Sequence, residues 1–349
     1  MAQPFDPTRL KLSGDPSPIA EKVRIDALWE AFSVSENGTL VYEPSGRASA
    51  VQLAWWDRSG KQVGTFGPPG TYHNFRLAPD EKRVAFSTSG NDNPDVWVLD
   101  SVRGVPSRLT FAPGIDDPPM WSPDGLRIVW ASNRAGAFDL YVKSANGAGP
   151  EHLLVKMGTP TGWPEDWSRD GRFLLYQIPG ANTGQDLWIA PQPSADAGDR
   201  KPAPYLQTEF DEKHGRFSPD GHWVAYTSNE SGRDEVYVQS FPLSGAKFQI
   251  SAGGGMEPQW RKDGTELFYI AGDRMLMAVP VKLAKSISEP LQVGQPTRVL
   301  AVPVLDTFIV GRSYEVSNDG QRFLMRAAAG DATAPALMVV LNWQSQFKK

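Results

Sequence analysis

The chain has 349 residues, with 35 Lys and Arg against 40 Asp and Glu, and a net charge of −5 that offers no basic field for nucleic acid. It contains no cysteine, which excludes disulfides and thiolate chemistry. Its 33 glycines and 30 prolines are spread over turns and not pooled in a linker, and no apolar run approaches the roughly 20 residues of a membrane span.

MAQPFDPTRL lacks a basic stretch followed by an apolar one, so no signal peptide is read there. PIAEKV at 18–23 reads as a short outer strand. From there on, seven times, an apolar stretch runs into a tetrapeptide of the Ser-Pro-Asp-Gly type and then into a second apolar stretch. The copies are AFSVSENGTLVYE at 31–43, NFRLAPDEKRVAFS at 74–87, PPMWSPDGLRIVWAS at 118–132, PEDWSRDGRFLLYQ at 164–177, HGRFSPDGHWVAYTS at 214–228, EPQWRKDGTELFYI at 257–270 and SYEVSNDGQRFLMRA at 313–327. Pro fixes φ, Asp supplies a side-chain acceptor and Gly takes positive φ, which is what a tight hairpin needs. Asp124, Asp170, Asp220, Asp263 and Asp319 are therefore turn residues and not catalytic carboxylates. The β-branched and aromatic runs after each turn predict buried second strands. Third strands follow at 52–57, 95–100, 139–144, 186–191, 235–240 and 276–281, and fourth strands at 107–111, 151–155, 203–207, 247–251 and 297–301. The last copy supplies three strands, at 314–317, 322–326 and 337–343.

A four-stranded antiparallel unit repeated along the chain predicts an all-β fold: a single β-propeller over 1–349, with seven blades or, as the alternative, six. The expected blades are 25–67, 72–112, 114–156, 160–208, 211–251, 254–302 and 312–349. The last is completed by 17–24, so that the N-terminal segment 1–24 closes the C-terminal blade and covers its edge. MAQPFD and the RLKLSGDP and PIAEKV that follow it are similar to 277–302, as expected of a chain that begins inside a blade.

The SPDG copies, the SNRAG and SNESG hairpins at 132–136 and 228–232, and the D-[LV]-[WY]-[VI] third strands resemble TolB-type, WD-like propeller repeats. More narrowly, RLTFAPGIDDPPMWSPDG, GRFSPDGHWVAYTSNESGRDEVYVQSFP and the ending VVLNWQSQFKK resemble propellers at the C-terminal end of bacterial serine/threonine kinases. That resemblance implies a sensory or protein-binding propeller joined to a signalling enzyme through a membrane segment, in a periplasmic or extracytoplasmic setting. The chain itself has no Gly-rich phosphate loop, HRD-type loop or DFG, and no G-x-S-x-G of an α/β-hydrolase.

Aligning the copies separates three columns. Two residues before the Ser position lie Ser33, Arg76, Met120, Asp166, Arg216, Gln259 and Glu315; two further back lie Ala31, Asn74, Pro118, Pro164, His214, Glu257 and Ser313. The residue just before the Ser position is always apolar: Val34, Leu77, Trp121, Trp167, Phe217, Trp260 and Val316. Period-two alternation puts the apolar column between blades and the polar columns toward a water-filled channel. His73, Asp116, Asp117, Glu165 and Glu212 stand near them, in the segments leading into the inner strands.

The functional reading gathers His73, Asn74, Arg76, Asp117, Glu165, Asp166, His214, Arg216, Glu257 and Glu315 into a channel mouth that binds a protein or small-molecule ligand. Within it, His73, Asp117, Asp166, His214 and Glu257 are candidate metal ligands, rich in oxygen for Ca²⁺ and with two imidazoles that admit Zn²⁺. Such an ion would activate water for ester or phosphoester hydrolysis, with His214 and Glu257 as catalytic candidates. The competing reading pairs Arg76 and Arg216 with Asp166 and Glu315 across the channel. His152 and His222 read as surface residues, and Trp97, Trp188, Tyr141 and Tyr237 as packing between blades. Trp29 and Trp163 fall in the leading loops, as an aromatic lip or as partly buried side chains.

Overall fold

The computed structural model describes residues 1–20, 23, 25–26, 29–30, 32–42, 51–89, 93–181, 183–192, 201–283, 291–303, 312–329 and 337–344. They fall into two compact units, Val51–Ala327 and a smaller one of Met1–Ala50 with Ala328–Lys349. Among the described residues no helix is long and apolar enough to cross a membrane.

The larger unit is built of six antiparallel blades, each beginning at an inner strand. Blade I is Phe75–Leu77, Arg83–Ser89, Pro94–Asp100 and Pro106–Arg108. Blade II is Asp116–Trp121, Arg127–Ser132, Phe138–Ser144 and His152–Thr159. Blade III is Trp163–Trp167, Phe173–Pro179, Gln185–Pro191 and Ala203–Leu206, and blade IV is Glu212–Phe217, Trp223–Ser228, Glu235–Ser240 and Lys247–Gln249. Blade V is Gly255–Trp260, Glu266–Ala271, Met275–Lys282 and Thr297–Ala301, with Gln292–Val293 also pairing to its third strand. Blade VI joins the two ends of the unit: Tyr314–Val316 and Arg322–Ala328 are followed in the sheet by Val51–Asp57 and Gln62–Gly70.

The tetrapeptides make the inner hairpins as their chemistry requires. Gly125 takes φ +67° and its N–H donates to Ser122 O at 2.9 Å, while Asp124 accepts from the N–H of Leu126 at 2.9 Å. The Ser122 hydroxyl beside it holds the Asp124 carboxyl below the usual carboxylate range. The same aspartate-to-amide bond recurs at 3.0 to 3.1 Å from Arg172, His222, Thr265 and Gln321 to Asp170, Asp220, Asp263 and Asp319.

Period-two alternation then sends neighbouring residues of each strand into opposite wedges. Val84 packs with Leu53, Phe75, Leu99 and Leu324 between blades VI and I, whereas Ala85 packs with Val96, Trp121 and Trp130 between I and II. Leu174 lies in the II–III wedge and Leu175 in the III–IV wedge, while Val224 and Ala225 divide between III–IV and IV–V. Leu267 faces blade IV, and Phe268 meets Tyr314 and Phe323 of blade VI. Each successive pair of blades thus shares a wedge, including the pair VI and I, so the ring is closed.

In the smaller unit Phe32–Val34 pairs with Leu40–Tyr42, and that strand with Met338–Val340. Phe5–Asp6 pairs with Lys11–Leu12, Ile25–Asp26 with Trp29–Glu30, and Ala2 bridges Ser17. The expected blade at 25–67 is therefore divided: its 31–43 hairpin belongs to this unit, and its 52–57 strand completes blade VI. Among the described residues the larger unit holds six sheets of four or five strands. Closure from the N-terminal side runs through Val51–Gly70 and not through 17–24, since Ser17 meets Ala2 and Met338–Val340 takes Leu40–Tyr42. Residues 21, 22 and 24 of the expected clasp lie outside the described residues. The tetrapeptide marks a hairpin, but a hairpin joins a blade only if its apolar column enters a wedge. Phe32 and Val34 remain 47 and 46% exposed.

Ring closure through 51–57 has a measurable consequence. Leu53→Ala, in the VI–I wedge, is expected to lower unfolding stability by about 2–5 kcal/mol in denaturant titration, while Leu12→Ala, at a position 64% exposed, changes it by less than about 0.5 kcal/mol. Equal effects of the two would contradict closure by this strand.

Candidate functional site

The inner strands carry a layer of buried charge. Arg76 on blade I pairs with Glu315 on blade VI at 3.2 Å, and Arg216 on blade IV with Asp166 on blade III at 3.5 Å. Arg216 also donates to the carbonyl of Glu165, and Arg312, which precedes blade VI, meets the Glu165 carboxylate at 2.6 Å. Burial, then Arg312, pulls the Arg216 guanidinium down to about 10, against Asp166, Glu315 and Glu165. Arg76 is drawn well below its ordinary range by burial and then by Arg216 and Arg312. The pairing of Arg76 and Arg216 with Glu315 and Asp166 read from the sequence is present, but between neighbouring blades and not across the channel, and Arg312 adds a third pair.

The backbone underneath is bulged. Register shifts fall between Asp116 and Pro119, Pro164 and Asp166, Lys213 and Arg216, and Met256 and Gln259, so these inner strands carry a bulge just before Met120, Asp166, Arg216 and Gln259. At two of them a non-glycine residue sits at positive φ, His214 at 58° and Glu257 at 54°. The bulge breaks strict alternation and turns the side chains it carries toward a neighbouring blade. Asp117 accepts from Asn74 Nδ2 at 2.8 and 2.9 Å and from the Ser87 hydroxyl, both on the blade I side. Glu257 accepts from the N–H of Ser313 at 2.7 Å and its hydroxyl at 3.0 Å. Asp166 accepts from Phe217 N–H at 2.8 Å. Burial pushes the Asp117 carboxyl up to about 6 and raises Glu257. His214, whose Nδ1 lies 3.3 Å from Thr227 Oγ1, is held well below the ordinary imidazole range by burial and then by Arg312, Lys213, Arg216 and Arg76.

Two cavities open along the channel. At the turn end a funnel of about 280 Å³ is lined by Arg76, Asp166, Arg216 and Glu315, with Trp121, Trp167 and Trp260 around them. At the other end of the inner strands a pocket of about 70 Å³ is lined by Asn74, Trp163, Glu165, Gln177, His214 and Arg312, with Arg76 shared between the two. The expected mouth residues are therefore split between two ends, and Asp117 and Glu257 serve as ties between blades. His73 contributes its carbonyl to the Arg326 guanidinium and its N–H to Ser87 O at 2.9 Å. Trp163 lines the smaller pocket, and the side chain of Trp29 lies outside the described residues. His152 and His222 are exposed, as expected of surface residues.

The metal reading does not fit this arrangement. Among the described residues no group of three or more His, Asp or Glu side chains is placed to hold an ion. The carboxylates proposed as ligands point at Asn74 and Ser87, at Arg216 and Phe217, and at Ser313, on adjacent blades, and do not converge.

Sequence reasoning passed over Arg312, Gln177 and Arg326. The signal was there in aligned form. Ser87, Gln177, Thr227 and Arg326 share one column, nine residues after the Ser position, and are polar in otherwise apolar second strands. All four lie at the leading end of the channel: Ser87 holds Asp117, Thr227 meets His214, Arg326 donates to His73 O, and Gln177 faces the pocket.

Asp117 gives the site a pH signature. Its folded value of about 6 lies above its ordinary 3.8, so the folded state binds the proton more tightly and stability falls as pH rises from about 4 to 6. Asp117→Asn, which keeps an acceptor for Asn74 and Ser87, is expected to remove that part of the slope in melting temperatures taken from pH 4 to 7. Superimposable pH profiles would show that Asp117 ionises as it does in the unfolded chain.

Comparison with known proteins agrees with this geometry. Residues 52–190 match the profile of the TolB beta propeller domain. An uncharacterized protein of Agrobacterium fabrum is 30% identical over 152 residues, which cover 42% of this chain and 50% of that one. The chain spans half or less of the length of the curated relatives it matches. Among solved structures, a TolB-like protein of Agrobacterium tumefaciens superposes with a TM-score of 0.60 at 16% identity, over 80% of this chain and 98% of that one. TolB of Acinetobacter baumannii gives 0.52 at 13% identity, over 77 and 81%. The chain has the β-propeller fold, and its residues 52–190 match TolB-type repeats.

Proposed function

We propose that the ring is a binding propeller whose recognition face is the funnel at the turn end of the channel, and that its partner is a polar, charged segment of another protein. The observation that carries this reading is the funnel's lining. Its floor of Arg76, Glu315, Arg216 and Asp166 is already paired within the ring, so the scaffold is set before a partner arrives. Its rim is made of the turns, where Arg169 of blade III donates to the carbonyl of Lys262 of blade V at 3.2 Å, and both side chains are exposed. Tryptophans beside charged groups suit a segment that presents both apolar and ionic side chains. Attachment to a signalling enzyme, implied by the kinase-propeller resemblance, would give such a face a sensory role.

Peptides selected on the intact chain from a displayed library are expected to lose at least about tenfold in affinity on the Arg169→Glu, Lys262→Glu double variant, with the melting temperature unchanged. Selected peptides indifferent to both substitutions would place recognition elsewhere. Chelator-sensitive turnover of chromogenic esters or phosphoesters would replace binding with the hydrolase reading.

A further inference from the structure

Blades I to V each take as third strand the next strand in sequence after their inner hairpin. The two terminal hairpins do not. Leu40–Tyr42 is followed in sequence by Val51–Asp57, and Arg322–Ala328 by Met338–Val340. Yet Val51–Asp57 pairs with Arg322–Ala328, and Met338–Val340 with Leu40–Tyr42. Two hairpins of one repeat have exchanged their third strands.

Opposing forces act on that exchange. Phe32 stands in the column of Phe75 and Tyr314, which are 1 and 0% exposed within their wedges, but is itself 47% exposed, so its burial is forgone. Polar ties between blades I and VI act the other way. Arg76 pairs with Glu315 at 3.2 Å, and Glu81 accepts from the N–H of Asn318 and lies 3.5 Å from Arg322. Glu81 occupies the glycine position of its tetrapeptide at φ 58°, so the turn itself has no use for a carboxylate there. A further blade between I and VI would bury Phe32 and break these ties.

We infer that the chain has two closures: the one seen here, and a second in which each terminal hairpin takes the next strand in sequence, so that 32–42 with 51–70 enters the ring as a blade between VI and I. The second closure separates Arg76 from Glu315, so the paired funnel floor belongs to the first alone. That consequence rests on the funnel being the recognition face; the two closures themselves do not.

The chain has no cysteine, which makes disulfide trapping clean. Tyr42 lies opposite Met338 here. In the second closure it faces Ala54, since Tyr42 corresponds to Trp130, whose third-strand partner Tyr141 aligns with Ala54. Under mild oxidation both double variants, Tyr42→Cys with Met338→Cys and Tyr42→Cys with Ala54→Cys, are expected to cross-link. Glu81→Gly, which removes a tie and suits the turn, should raise the ratio of 42–54 to 42–338 cross-linking by about tenfold. Phe32→Ser should lower it by about tenfold. Absence of either cross-link in every background leaves one closure and overturns the inference, as does a ratio that both substitutions leave unchanged or move in the same direction. Should Ala54→Cys prevent folding, Val41→Cys paired with Val339→Cys or with Trp55→Cys, opposite in the same two registers, decides.

Discussion

The pairing of Val51–Asp57 with Arg322–Ala328 is the constraint on which the rest of the ring depends. A blade cannot bury both of its own faces, so each wedge is half-made until the next blade arrives. The VI–I wedge is the one that local sequence cannot complete, because Leu53 and Leu324 come from opposite ends of the unit to meet Phe75 and Leu99. Once it is filled, the first and last inner strands lie side by side, and Arg76 reaches Glu315 across 239 positions of sequence. At the turn end Glu81 adds a second tie between the same blades, accepting from the N–H of Asn318 and lying 3.5 Å from Arg322. The channel's electrostatics are thus a consequence of closure.

The polar residues of the inner strands extend that logic around the ring. Asp117 links blade II to blade I, Asp166 links III to IV, and Glu257 and Gln259 link V to VI. Two apolar-column tryptophans join in: Trp121 Nε1 donates to Arg76 O at 3.0 Å and Trp260 Nε1 to Arg216 O at 3.3 Å, each toward the preceding blade. Charge-assisted bonds between blades contribute more than neutral ones, about 1.5–3 kcal/mol against about 1. Groups that look like a ligand set in a one-dimensional alignment are therefore spent on holding the blades in register.

The tetrapeptide made most of the ring legible. Its spacing and the flanking apolar runs locate blades I to V strand by strand, and the turn aspartates behave as their chemistry demands. Pairing of Arg76 and Arg216 with carboxylates also followed from the balance of signs in one column. Blade membership of the 31–43 copy did not, since the motif specifies a hairpin and says nothing about which wedge accepts it. The bulges were equally hidden. Alternation assumes one residue per pleat, and an inserted residue at Asp117, His214 or Glu257 leaves no compositional mark while redirecting the side chain. Arg312 stood in the same aligned column as His73 and Asp117, and Gln177 in the column of Ser87. What sets them apart is single buried atoms without a partner, Arg312 Nε and Nη1 and Gln177 Oε1, a property of packing in three dimensions.

Backbone strain bears on how the two ends of the channel would work. A non-glycine residue in the left-handed region costs on the order of 1–2 kcal/mol, and His214 and Glu257 both adopt it on the leading side of their inner strands. Each is held from several directions. The N–H of His214 donates to Glu165 at 3.3 Å while its ring meets Thr227; the carboxylate of Glu257 is fixed by Ser313, and its carbonyl accepts from Tyr314 Oη at 2.8 Å. These bonds belong to the ring itself and join blade to blade. The strained geometry is therefore present before any ligand binds, and the small pocket walled by His214, Glu165 and Arg312 is rigid by construction. At the funnel, by contrast, the floor is paired within the ring, and the turns Ser168–Gly171 and Arg261–Gly264 around it can vary without disturbing the wedges beneath them.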